Sequence, residues 1–164
     1  PPFPARRVGG PVAFAERLDA FLEALPAALP VAVEVRTPSL LTPAYARVLV
    51  RHRARHSYVV HPRMPPIDAQ IRRVPGGARH GLVVRWMLQH GHTYEAAKRG
   101  FAPFDALAAP DPDSRAAIAR LCTLALEREK EVLVIINNKA EGSAPLSAFA
   151  LAGAIADRLE PAPG

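Results

Sequence analysis

The chain has 164 residues, 49% of them hydrophobic, with 21 Lys and Arg against 15 Asp and Glu for a formal net charge of +6. That length and composition fit one domain, residues 1–164, with a real core, and exclude a disordered tail. A lone cysteine, Cys122, excludes an intrachain disulfide framework and a cysteine-rich zinc site. No apolar run reaches the roughly 18 residues needed to cross a bilayer, so no membrane partner and a cytoplasmic location are expected.

Phe14, Leu18, Phe21, Leu22 and Leu25 recur at spacings of three and four, which predicts an amphipathic helix from Val12 to Leu25, ended by Pro26. "VAVEVR" (31–36) follows as a β-branched strand. Next come a helix over 43–53, the strand "SYVVH" (57–61), a proline-led helix over 66–73 and a break at Gly76-Gly77. The third strand is "GLVVRWM" (81–87), followed by a short helix over 94–99. A longer helix is capped by Asp111 or Asp113 and shows Ile118, Leu121, Cys122 and Ala125 on its apolar face. The fourth strand is Val132 to Ile136, and a last helix runs over 145–159 before the tail "EPAPG".

Strand and helix alternate four times, and nearly continuous apolar strands are those covered on both faces, so the fold class is α/β with a parallel sheet. Periodicity is satisfied equally by an open doubly wound sheet and by part of an eight-stranded barrel.

In both architectures ligands bind at the C-terminal ends of the strands. There the first strand delivers Glu34 and Arg36, the second His61, the third Arg85, and the fourth Asn137, Asn138 and Lys139, with Glu141 just beyond. Arg36, Arg85 and Lys139 supply positive charge, and the two asparagines donate and accept hydrogen bonds. Glu34 and His61 are the candidate proton carriers, and Glu141 joins the binding set. The turn "EGSAP" opens a helix whose free N–H groups suit a phosphate or carboxylate. The chemistry expected is recognition of a small anionic or polyhydroxylated ligand, with hydrolase or lyase action on a phosphate-bearing or sugar-like substrate as the reaction class.

Two other readings compete with it. The pI of about 10.2 suits a non-catalytic module for nucleic acid or a phospho-ligand. However, the basic cluster "RHRARH" (51–56) lacks the interleaved aromatics of a stacking groove. Alternatively, Glu34, two residues from Arg36 on one strand face, pairs with it in a purely structural network. No Walker loop or G-x-G-x-x-G is present, His52 and His56 on the second helix lack the glutamate of a zincin, and His90 and His92 form no metal-ligand set on their own. No metal is therefore assigned, and the cofactor is left unspecified.

The segments "VAVEVR", "SYVVHPRMPPIDAQ", "LVVRWML" and "VLVIINNKAEGSAPLSAFALA" resemble, in order and spacing, the domain-of-unknown-function 72 family, also called YecE-like. The resemblance implies a (β/α)8 TIM-like barrel of unestablished activity and marks Glu34, Arg36, His61, Arg85, Asn137, Asn138 and Lys139 as pocket-lining positions. It also implies that "PPFP" continues a segment after the fourth barrel strand. The chain would then be the C-terminal half of a longer barrel, with about four strands, two open sheet edges and part of an apolar interior exposed, which predicts dimerisation, aggregation or poor expression of the chain alone; the oligomeric state itself is not fixed by the sequence. Lys139 stands where relatives with a shorter N-D motif carry aspartate, which removes the carboxylate a metal would need there.

Overall fold

The structure is a computed structural model that describes residues 8–159; the "PPFP" opening and the "EPAPG" tail lie outside the described residues. The elements are α1 (Gly10–Glu23), β1 (Ala32–Glu34), α2 (Pro43–Arg51), β2 (Arg55–Val60), α3 (Ile67–Arg73), β3 (Leu82–Trp86), α4 (Tyr94–Phe101), α5 (Pro112–Leu126), β4 (Val132–Ile136) and α6 (Ala144–Leu159). A 3-10 turn at Pro38–Leu40 lies between β1 and α2.

Local chemistry sets these boundaries. Thr42 Oγ1 accepts the Tyr45 N–H at 3.2 Å, with Pro43 in the first turn of α2. Asp111 Oδ1 caps α5 through the Ser114 N–H at 3.1 Å. α2 stops at Arg51 because Arg53 adopts φ 56, a left-handed turn that sends the chain into β2. The helix expected to reach residue 53 therefore ends early, and the strand begins at Arg55. His52 and His56 consequently sit on different elements: His52 Nε2 meets Asp19 Oδ1 at 2.7 Å, whereas His56 lies within β2.

All four strands are parallel in the order β1-β2-β3-β4. Neighbours in the sheet are neighbours in sequence, with no reversal of strand order among the described residues, an order consistent with a TIM-like fold. Register sorts the side chains. Tyr58 aligns with Val84 and Val134, and Val60 with Trp86 and Ile136. These residues face α3, α5 and α6 and form one core with Ile67, Ile118, Cys122 and Leu151. On the opposite face Glu34, Ser57, Val83 and Leu133 share one level, and Val59, Arg85 and Ile135 the next.

That second face is not fully covered. Leu133 is 49% exposed and Ile135 42%. Past Glu34 the β1 backbone leaves the sheet, and a fully buried side chain takes its place: Gln70 Oε1 accepts the Val59 N–H at 3.1 Å and Nε2 donates to the Val59 carbonyl at 2.8 Å. The β2 backbone is thus satisfied where it has lost its neighbour.

Candidate functional site

Four strand ends converge on one cavity of about 350 Å³, lined among others by Arg36, His61, Arg63, Tyr94, Asn137 and Lys139. β1, β2 and β4 place the first, second and fifth of these within two residues of their last residues. Tyr94 comes from the start of α4, where Thr93 Oγ1 caps the helix through Ala96 N at 3.2 Å.

Glu34 lies beside the cavity and is tightly engaged. Its Oε1 accepts from Arg36 Nε at 2.5 Å and its Oε2 from Arg85 Nη1 at 2.6 Å. Burial works against ionisation, but the hydrogen bonds and charges of the two guanidiniums outweigh it and hold the carboxyl below its ordinary value. Glu34 is therefore a fixed carboxylate at neutral pH, and Arg85, isolated among apolar neighbours, finds its counter-charge on the sheet face. The structural pairing weighed from the sequence is present and includes Arg85.

His61 is held by the turn that follows it. Its Nδ1 accepts the Arg63 backbone N–H at 3.1 Å, which puts the ring proton on Nε2. Burial, then the charges of Arg36 and Arg63, lower its pKa against the opposing pull of Glu34. The ring is thus a neutral hydrogen-bond donor.

Lys139 stands over the Tyr94 ring, Nζ 4.3 Å from the centroid, with Phe104 at 5.5 Å. Among the described residues neither Lys139 nor Arg63 has a carboxylate partner. Asn137 Oδ1 accepts the Lys139 N–H at 2.9 Å, a turn that aims its amide group and the lysine along the same loop.

Two of the expected residues serve other ends. Asn138 Oδ1 takes the Ala144 N–H at 2.9 Å and so caps α6, removing one of the free donors expected there for an anion. Glu141 is fully buried: Oε1 accepts the Asp111 N–H at 2.7 Å and pairs with the Arg115 guanidinium. Its neighbour Gly142 has φ 123, and a Cβ there would come within 2.4 Å of the Ala106 carbonyl oxygen, so the turn packs against the loop before α5 and not against a cavity. His90 donates from Nε2 to the Met64 carbonyl at 2.8 Å, and His92 packs on Phe101 with ring centroids 5.5 Å apart.

The cavity thus joins Arg36, His61, Asn137 and Lys139; Glu34 and Arg85 are tied to it through Arg36, and Asn138 and Glu141 are engaged with α6 and α5 and do not line it. Sequence reading missed Arg63 and Tyr94 as members. Arg63 carried a signal, two residues past a strand end, whereas Tyr94 is joined to Lys139 only by the fold.

A solved structure of a DUF72 family protein from Enterococcus faecalis V583, at 3.10 Å, superposes with a TM-score of 0.52 at 18% sequence identity. The match covers 88% of this chain and 52% of that one. The chain therefore spans about half the length of that protein and has a similar fold. Nothing among curated proteins matches it. The family model described as protein of unknown function DUF72 matches residues 3–163, so the chain belongs to the DUF72 family.

Proposed function

We infer that residues 1–164 are a single unit forming one half of a parallel (β/α)8 barrel, whose strand-end cavity binds a small anion. The barrel reading is supported by the sequential parallel order, by β1 and β4 each pairing on one side only among the described residues, and by the exposed Leu133 and Ile135. The anion reading rests on one observation: Arg63 and Lys139 bring positive charge without a carboxylate partner into a cavity that also holds Arg36, His61 and Asn137. A phosphate or carboxylate group would meet two cations and two neutral donors there, with the Tyr94 ring available to a sugar or other flat face.

Hydrolase or lyase chemistry gains less support. Glu34 is pinned as a carboxylate between two guanidiniums, and His61 offers Nε2–H while its Nδ1 is occupied. The cavity therefore has hydrogen-bond donors in place and no carboxylic acid free to deliver a proton.

Isothermal titration with inorganic phosphate and pyrophosphate, at low and at moderate salt, tests the reading. Saturable binding is expected, weakened at least tenfold in Arg63→Met and Lys139→Met and unchanged in Arg128→Gln. No heat at millimolar phosphate, or equal affinity in all variants, would refute it. Binding of an oligonucleotide that falls steeply with salt, with none of phosphate, would instead identify a nucleic-acid module.

A further inference from the structure

A second cavity, of about 470 Å³, lies away from the strand-end site, where the ends of α3 and α5 and the loops into β3 and β4 meet. Ile71, Leu82, Leu121 and Leu124 make its wall apolar, and Leu124 is 41% exposed. Arg79, Arg120, Arg128 and Lys130 complete the lining, which contains no carboxylate. Only Arg120 is neutralised, by Asp68; among the described residues Arg79, Arg128 and Lys130 have no ion pair. His80, beside this rim, has its pKa lowered first by burial and then by Arg53, Arg79, Lys130 and Arg55, which reports the same positive field.

Tyr58 supplies an independent observation. It is 2% exposed and lines the groove, yet its hydroxyl makes no hydrogen bond among the described residues. That hydroxyl lies 2.9 Å from where a Cβ on Gly77 would stand, at the end of the groove formed by Gly76, Ala78 and Arg79. A phenol hydroxyl ordinarily finds a partner, and Tyr58 lines the same groove as Arg79 and Lys130.

We propose that this groove binds an amphiphilic anion, a carboxylate on an apolar chain, with the chain along Ile71, Leu121 and Leu124 and the head group among Arg79, Lys130 and the Tyr58 hydroxyl. Its volume is that of a small-molecule site, and its division into apolar wall and unpaired cations suits that ligand class better than a neutral amphiphile and excludes a cationic one. The site is separate from the strand-end cavity and shares no lining residue with it.

Decanoate below its micelle concentration is the probe, titrated calorimetrically into the purified chain beside decanol and decyltrimethylammonium. Saturable decanoate binding is expected, with decanol weaker and the cationic amphiphile inactive. Arg79→Gln combined with Lys130→Gln, both exposed positions, should weaken decanoate at least tenfold and leave decanol unchanged. Tyr58→Phe should weaken it severalfold without lowering the melting temperature, because among the described residues the hydroxyl has no protein hydrogen-bond partner to lose. Lys139→Met should leave it untouched, so failure of the strand-end reading and failure of this one are distinguishable. Absence of decanoate binding, or an affinity indifferent to the double variant, would overturn the proposal. A double variant that only loses stability, with no decanoate effect, would show that the cations merely complement the carbonyl ends of α3 and α5.

Discussion

Lowering the pH should destabilise this protein through one buried side chain, His56. The ring is fully buried in β2, with Nδ1 2.9 Å from Tyr45 Oη and with Nε2 lacking any partner. The Tyr45 hydroxyl also lies 3.3 Å from the Val33 carbonyl, so the arrangement that satisfies most groups has His56 Nδ1–H donating to Tyr45 and Tyr45 donating to Val33. Nε2 then carries only a lone pair, and protonating it would put an unpaired charge in the core. Burial lowers the pKa of His56 to about 4 from 6.5 and outweighs the opposing influence of the nearby Gln70 side chain, which is committed to the Val59 and Pro65 backbone, and of the Glu34 charge. Above pH 6.5 the ring is neutral in both folded and unfolded chains and contributes no pH dependence. As the pH falls from 6.5 to about 4 the unfolded chain takes up a proton that the folded one refuses, so stability falls through that window and levels off below it. At about 1.4 kcal/mol per pH unit the full loss is about 3 kcal/mol, a large share of the roughly 5–15 kcal/mol typical of a folded domain. Urea unfolding followed by circular dichroism at pH 7, 6, 5 and 4, on the natural chain and on His56→Leu, isolates the effect, since all other titrating groups are common to both. The stability difference between the two should shift by about 3 kcal/mol in favour of the variant as pH falls. Parallel profiles across that window would refute the reasoning.

Two further perturbations test how the sheet is completed and how the loop after β4 is held. Gln70→Leu strips the Val59 N–H and carbonyl of their partners in a buried site, and should cost about 2–4 kcal/mol in chemical denaturation while leaving phosphate affinity unchanged. Glu141→Gln leaves the Arg115 guanidinium without its counter-charge and should cost about 3 kcal/mol. A Glu141 variant that abolished phosphate binding with its stability intact would return this residue to the site.

The parts of the fold legible in the sequence are those decided by local pattern. β4 falls where the apolar run places it, α4 starts at the expected Tyr94, and α6 begins within a residue of its expected start. β1 was read as six residues and has three, because its length depends on a partner strand and on Gln70, far along the chain, taking over the backbone of Val59. The cluster "RHRARH" reads as a polar helix end, yet its last histidine is buried; the left-handed turn at Arg53 that makes the difference occurs at a residue type that rarely adopts it. The same division holds for the site. Charges at the ends of apolar strands are visible in sequence, and four of the expected residues meet in one cavity. The separate duties of Asn138 and Glu141 were not visible, since they are set by Ala144, Asp111 and Arg115 at distances of 6, 30 and 26 residues.

Glu34 shows why a convergence of charged residues need not be a convergence of reactive ones. A single carboxylate with one oxygen on Arg36 and the other on Arg85 neutralises one of the two positive charges and fixes both guanidiniums in place. Its lowered pKa keeps that clamp closed throughout the neutral range, and it opens only as the pH falls below the usual carboxylate value. What the clamp leaves is geometry: Arg36 is fixed through Nε, so its remaining guanidinium edge has a set direction at the cavity wall. Beside the single positive charge left on the clamp, the cations without a carboxylate partner at the cavity are Arg63 and Lys139, one from the turn after β2 and the other from the loop after β4. Two cations on separate loops, lining a cavity that also holds a neutral histidine donor, suit a ligand that spans the cavity better than one bound at a single point. Pyrophosphate should therefore bind more tightly than phosphate, and Arg63→Met should narrow that difference.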